Sequence, residues 1–457
     1  MYDVAILGGG PGGYAAALYA HNFGLSVALV EKDKVGGVCL HRGCIPAKSW
    51  LQTAEVYTQV AGSEAFGVMT SEPSLDWGRA LERKNGIVSQ LHRGLRGLMK
   101  QRKVEVFEGT GTLSGARSID VVGADGATSR IEAQNVIVAT GSVPRTIPGY
   151  EIDGERIVTS DQALDWTSQP GRVAIIGAGA IGAEFASMLA DFGSEVHLFE
   201  VAPQILPGAE PQAAKVLQRA LTKKGVAVSS GVAVGPATVG TDGVTVPHGE
   251  SSVTVDVVLV AVGRAPVTEG IGLETTGVGV DRGYVLADLA TMQTAEAGVY
   301  AVGDIVAGTP QLAHAGFAEA IAAVTHIATG TAAPVDYRAI PLVVYTHPEV
   351  ASVGLTEEQA IAAGHEVEVH DHGIAGVGRA MIQGHTQGVV KIVAAVDGPV
   401  LGATVVGPAA GELIHELMYA VGWEALPSEA AAFVHAHPTL AEAVGETLLT
   451  AAGRSLH

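Results

Sequence analysis

The sequence predicts an α/β protein with two doubly wound, Rossmann-like domains and a third domain of α+β type. A length of 457 residues accommodates about three domains. Two stretches can be laid on each other without a gap: DVAILGGGPGGYAAALYAHNFGLSVALVEKD from Asp3 and RVAIIGAGAIGAEFASMLADFGSEVHLFEVA from Arg172. Pro- and Gly-rich tracts at 142–154 and 329–341 then punctuate the chain where domains would meet.

Each repeated stretch runs apolar strand, G-x-G-x-x-G, small-residue helix, a Phe-Gly stop, second strand and a terminal Glu. The glycines are Gly8, Gly10 and Gly13 in the first unit and Gly177, Gly179 and Gly182 in the second. Glu31 and Glu200 close the units, each 23 residues after the first glycine. In such a unit the first glycine permits the tight turn, the second admits a pyrophosphate, and the third allows helix and strand to pack closely. Free N–H groups and the positive end of the helix dipole favour the phosphate. The carboxylate accepts hydrogen bonds from a ribose diol. A lone G-x-G-x-x-G is weak evidence, but here strand, helix and acid all stand at the right distance. Two such units imply one dinucleotide held as a prosthetic group and another exchanged with solvent. No Arg or Lys occurs in the stretch EVAPQILP after the second strand, so Glu200 favours NAD over NADP.

The balance of 27 Lys+Arg against 47 Asp+Glu leaves a net charge of −20. That acidity argues against a nucleic-acid partner, which needs a basic footprint. Apolar runs such as VVLVAVG (257–263) are too short to span a bilayer, and the chain enters a strand within a few residues of Met1. The expectation is a cytoplasmic protein with no membrane partner.

In that compartment a close cysteine pair is more often catalytic or metal-binding than a structural staple. The only two cysteines, Cys39 and Cys44, lie in GGVCLHRGCIPAKSW (36–50), directly after the first nucleotide unit. Cys44-Ile45-Pro46 suits a helix start, where the dipole stabilises a thiolate. A zinc site would need histidines such as His41 to complete four ligands, and the expectation is no metal. A redox-active dithiol beside a dinucleotide accounts best for the pair.

HAHPTLAE (435–442) offers a second reactive constellation. His437 is the type of side chain that takes a thiol proton near neutral pH, and Glu442 stands where it can hold one ring nitrogen. Pro438 reads as a residue that opens a helix, with Glu442 on its second turn. A His-x-His metal site with His435, or a satisfied buried histidine, is the alternative.

Together, GGVCLHRGCIPAKS, the two fingerprints, YTHPEVASVGLTE (345–357) and HAHPTLAEAVGE (435–446) resemble the flavin-dependent pyridine nucleotide–disulfide oxidoreductases, from Tyr2 to about Glu446. The match is closest to members that oxidise dihydrolipoyl groups. The resemblance implies FAD in the first site and NAD in the second. It makes Cys44 the thiolate facing the flavin and Cys39 the thiol that exchanges with substrate. Lys48 is implied near the flavin's reactive nitrogen, with Glu184 as its ion-pair partner. Asp304 in YAVGDI is implied on the ribityl chain, the backbone around Ala313 and His314 against the ring, and Gly141 in ATGS close to the same cofactor. Gly263 in VGRAP belongs with the second cofactor. His437 becomes the base and Glu442 its orienter, supplied by the partner subunit of a homodimer. Further implied partners are a lipoyl domain and the acyltransferase core of a 2-oxo acid dehydrogenase complex.

The chain departs from many relatives at His41 and Arg42, which place positive charge between the cysteines, and at Trp50, bulkier than the usual aliphatic residue. QLAHAGFAEA also lacks a lysine often found after the histidine. Glutathione-type reductases use NADPH, which Glu200 disfavours, and mercuric reductases carry a second, C-terminal cysteine pair that is absent here. A flavoprotein that senses redox state with little turnover is the rival of another class. The expected domains are 1–147 for FAD, 148–272 for NAD, 273–335 completing the first domain, and 336–457 for the interface.

Overall fold

The strand Tyr2–Leu7 buries its last four residues, Val-Ala-Ile-Leu, completely or nearly so. An unbroken apolar run of this kind suits a parallel strand covered on both faces. In the computed structural model, which describes residues 1–457, it pairs in parallel with Val27–Glu31 on one side and Thr128–Val138 on the other. Glu105–Glu108 extends the sheet beyond Val27–Glu31. Val299–Ala301 joins the end of Thr128–Val138 in parallel, while Ser118–Val122 pairs antiparallel with its start. The helix Pro11–Ala20 begins with Pro at its first position and buries Ala16, Ala17 and Ala20. Those small side chains let it lie close to the sheet.

This sheet belongs to one unit formed by residues 1–49, 78–145 and 264–337. The other unit comprises 50–77, 146–263 and 338–457. The four-segment division expected from sequence, with boundaries at 147, 272 and 335, differs from this grouping, which places residues 50–77 in the second unit and 264–272 in the first.

The second unit repeats the plan. Arg172–Ile176 lies between Glu195–Glu200 and Val257–Val260, with Ala227–Ser230 and Ile157–Val158 at the edges, all in parallel. A five-stranded antiparallel sheet follows in the order Leu342–Val344, Glu349–Gly354, Val400–Gly407, Val389–Ala395, Val367–Gly373. The helices Ala410–Gly422 and Glu442–Ala451 pack on it through Ile414, Leu417, Val444 and Leu448. Two doubly wound sheets and an α+β C-terminal part are thus the observed fold class.

Buried charge ties this second unit together. Lys391, on the antiparallel sheet, donates to Glu210, which caps helix Pro211–Lys223, and to Glu357 at 2.7 Å. Trp50 fills the same unit's interior. Its ring packs 4.4 Å from Trp77, and its Nε1 donates to the Leu164 carbonyl. The bulk at position 50 is therefore matched by a partner ring and a hydrogen-bond acceptor.

Candidate functional site

The two glycine-rich loops adopt one geometry. Gly8 and Gly177 have φ of +106° and +98°, in the left-handed region that glycine enters without strain. A β-carbon at Gly13 would lie 1.8 Å from the Gly8 carbonyl oxygen, and one at Gly182 would lie 1.9 Å from that of Gly177. The third glycine is therefore where helix and strand close on each other. At Gly10 and Gly179, by contrast, no atom stands within 4 Å of the β-carbon position. Each middle glycine leaves open space at the helix N-terminus, as a pyrophosphate requires.

The two acids serve matching roles. Glu31 accepts the Gly9 N–H at 2.7 Å and the Asp33 N–H at 2.8 Å. Glu200 accepts the Ala178 N–H at 2.8 Å and the Ala202 N–H at 2.9 Å. Each carboxylate oxygen keeps a lone pair for a further donor, so the same acid shapes the loop and can receive a ribose hydroxyl.

The groups expected along the first cofactor lie in the same unit as Gly8, Gly10 and Gly13. Gly141, at φ +72°, and Gly263, at φ +106°, hold equivalent places after the central strands of the two sheets. Asp304 accepts a hydrogen bond from the Ser142 hydroxyl. Arg264 donates to both the hydroxyl and the carbonyl of Ser142 at 2.7 Å. Ala313 opens the helix Ala313–Thr329, so its N–H is among those with no partner inside the helix. Glu319, wholly buried in that helix, accepts the Gly303 N–H and the Tyr337 hydroxyl. Burial pushes the Glu319 carboxyl above its ordinary range. Ser142, Arg264 and Glu319 escaped the sequence reading. Adjacency to Gly141 and to the VGRAP turn was the only signal for the first two, and a lone Glu on an apolar helix gave none.

Cys39 sits in the short helix Gly37–Arg42, and Cys44 is the first residue of the helix Cys44–Ala61. The break at Gly43 sets the two thiols against each other. Neither is in a disulfide, and Cys39 hydrogen-bonds with Cys44. That bond, burial and the Cys44 charge push the Cys39 thiol up strongly, while Lys48 pulls it down. Lys48 is thus the cation that acts on the pair, one helical turn past Cys44. The charges between the cysteines are engaged elsewhere: Arg42 pairs with Asp33 at 2.7 Å, and His41 Nε2 lies 3.0 Å from the Val35 carbonyl. Tyr14, which sequence reasoning missed, stands near both thiols. Burial and the neighbouring cysteine charges push its phenol up to about 12. Its one signal was its place directly after Gly13.

Glu184 is buried in helix Ala180–Asp191, where its carboxylate accepts the Tyr345 N–H at 3.0 Å.

His437 Nδ1 lies 2.8 Å from Glu442 Oε1, and the other Glu442 oxygen accepts the Thr439 N–H at 2.9 Å. These bonds, the backbone N–H first, hold the Glu442 carboxyl below its ordinary range. The His437 side chain is 78% exposed. The helix opens at Glu442 rather than at Pro438. Thr439 accounts for the shift, because its hydroxyl donates to the Ala436 carbonyl while its N–H goes to Glu442, a turn rather than a helical pattern. His435 Nε2 lies 2.8 Å from Glu416 Oε1.

The pyridine nucleotide-disulphide oxidoreductase family matches residues 2–320, and that family's dimerisation domain matches residues 340–448. Dihydrolipoyl dehydrogenase of Bacillus subtilis is 40% identical over 100% of this chain and 99% of its own length. Dihydrolipoyl dehydrogenase of Chlorobaculum parvum is likewise 40% identical, over 99% of this chain and 97% of its own. Among solved structures, LpdA from Mycobacterium tuberculosis superposes with a TM-score of 0.91 at 29% identity, covering 98% of this chain and 99% of that one.

Proposed function

The chain belongs to the pyridine nucleotide-disulphide oxidoreductase family, and on that premise we propose that it oxidises dihydrolipoyl dithiols to lipoyl disulfides with NAD as electron acceptor. FAD, when bound in the first loop, supplies the two-electron link between dithiol and NAD. Gly8, Gly10, Gly13, Glu31, Gly141, Asp304 and the N-terminus at Ala313 would hold it. Gly177, Gly179, Gly182, Glu200 and Gly263 would hold NAD. The open space at both middle glycines supports that assignment.

The protein's own groups carry out the thiol chemistry. His437 takes the proton of a substrate thiol, with its ring oriented by Glu442. The resulting thiolate attacks Cys39 Sγ of a Cys39–Cys44 disulfide, and Cys44 leaves as a thiolate. The second substrate thiol, deprotonated in turn, attacks the first substrate sulfur. Lipoyl disulfide forms and Cys39 is released. Two electrons and two protons have then left the substrate. Lys48 stabilises negative charge beside Cys44. We further propose a cytoplasmic homodimer in which each protomer lends His437 to its partner, serving a lipoyl domain on the acyltransferase core of a 2-oxo acid dehydrogenase complex.

The observation that carries this reading is the thiol pair itself: Cys39 hydrogen-bonded to Cys44, with Lys48 acting on it, in the unit that contains the first loop. An anaerobic visible spectrum tests it. Dihydrolipoamide should give the bound flavin a long-wavelength thiolate–flavin band, and NAD should abolish that band with formation of NADH. A flavin that responds to NADH but ignores dihydrolipoamide would move the substrate elsewhere. Full dihydrolipoamide turnover by Cys44→Ser would sink the mechanism.

A further inference from the structure

Between residues 432 and 438 every residue except His435 is exposed. Phe433 is 77% and Val434 97% accessible, and the His437 side chain 78%, against 12% for that of His435. Where the segment reaches toward a partner subunit, its placement depends on the contacts that anchor it within its own protomer. His435 provides them. Its Nε2 lies 2.8 Å from Glu416 Oε1, on the helix Ala410–Gly422. Its ring lies directly over Gly445, on the helix Glu442–Ala451. A β-carbon on Gly445 would stand 2.5 Å from His435 Nδ1 and 2.9 Å from Cε1, so only glycine leaves room for the ring.

We propose that His435 is a positioning residue for the His437–Glu442 dyad, clamped between Glu416 and Gly445. This rests on His437 acting as the base. One residue, Ala436, separates the two histidines, and its carbonyl is held from the other side by the Thr439 hydroxyl at 2.7 Å. His437 is therefore fixed from behind by His435 and from ahead by Glu442. Neither clamp alone restrains an exposed ring at the end of a loop. The contacts also link electrostatically. The hydrogen bond to Glu416 raises the proton affinity of His435, and the charge it then carries helps to hold the Glu442 carboxylate ionised.

The chemistry needs such a device because a displacement of about 1 Å in a catalytic group can cost about 10²-fold in rate.

Gly445→Ala is the discriminating variant. It leaves every titratable group in place but puts a β-carbon 2.5 Å from His435 Nδ1, so a purely structural role predicts a lower Tm with unchanged turnover of the folded enzyme. On the positioning role, kcat with dihydrolipoamide falls about 10- to 100-fold at temperatures well below Tm, where the variant is fully folded. Reduction of the bound flavin by NADH, which does not use His437, stays at the wild-type rate. His435→Ala should show the same split, and His435→Gln, which keeps a donor toward Glu416, should recover part of the loss. Wild-type dihydrolipoamide turnover in both Gly445→Ala and His435→Ala would overturn the proposal. So would a parallel loss of NADH-driven flavin reduction, because the effect would then belong to the fold at large. A His437→Gln control separates the two readings. If that variant keeps its turnover, the base assignment fails and this role falls with it; if it loses turnover while the His435 and Gly445 variants do not, only the positioning role fails.

Discussion

The first and second glycine-rich loops share backbone angles, steric contacts and the way their acids are bonded, yet the segments after them differ. After Glu31 the chain returns so that the Gly36 N–H meets the Gly9 carbonyl at 2.8 Å; after Glu200, the Leu206 N–H meets the Ala178 carbonyl at 2.8 Å. Beyond that shared bond the paths part. Gly37 passes so close to the first loop that a β-carbon there would lie 2.6 Å from Gly10 Cα, and the chain runs directly into Cys39. After Leu206 it runs instead to Glu210 and a helix locked by Lys391. One cradle is thus capped by the redox segment and the other is not. The comparison teaches that the fingerprint fixes the geometry of the loop, while the residues after it decide what is brought up against that loop. A capped site suits a retained cofactor and an uncapped one a cofactor that comes and goes.

The largest test places a side chain in the open space of each loop. Gly10 and Gly179 have ordinary φ of −71° and −69°, so the backbone accepts a leucine at either position. Gly10→Leu should purify without flavin and without turnover. Gly179→Leu should keep its flavin and lose reduction by NADH. The ratio of flavin to protein and the NADH-driven bleaching of the flavin check both, and an exchange of these phenotypes would reverse the assignment of the two sites.

Removing the acids should have the next largest effect. Each accepts two backbone N–H groups, and an unsatisfied buried donor costs about 1–3 kcal/mol. Glu200→Ala is expected to raise the KM for NAD about 10- to 100-fold at constant flavin content. Glu31→Ala should weaken flavin retention by a similar factor, measured by dialysis, and leave the response to NAD in the reloaded protein unchanged.

The smallest effect comes from Gly141→Ala and Gly263→Ala. Both residues have positive φ and no atom within 4 Å of the β-carbon position, so each change costs about 1 kcal/mol from the backbone alone. Gly141→Ala should touch flavin retention only and Gly263→Ala the KM for NAD only. An equal effect of both on one ligand would mean that the two sites are less separate than the repeat implies.

Much of this was legible in the residues. The glycines, acids and apolar strands of the two units announce their geometry because each constraint is local: a positive φ, a missing β-carbon, a carboxylate at a strand end. The same holds for Cys39 and Cys44, whose five-residue spacing brackets a glycine break. The start of the last helix was misplaced at Pro438 because proline at a helix N-terminus is a statistical preference, whereas the Thr439 and Glu442 hydrogen bonds that set the true start form only in the folded turn.

By itself, then, the sequence determined two nucleotide cradles, a dithiol and a histidine–carboxylate pair, all of them features of neighbouring residues. Tertiary structure alone decided which distant groups serve them: Arg264 reaching Ser142, Ser142 reaching Asp304, Glu319 holding Gly303, Glu416 and Gly445 gripping His435. Side chains separated by tens to more than a hundred residues meet only once the sheets are closed. No local periodicity or motif encodes those meetings.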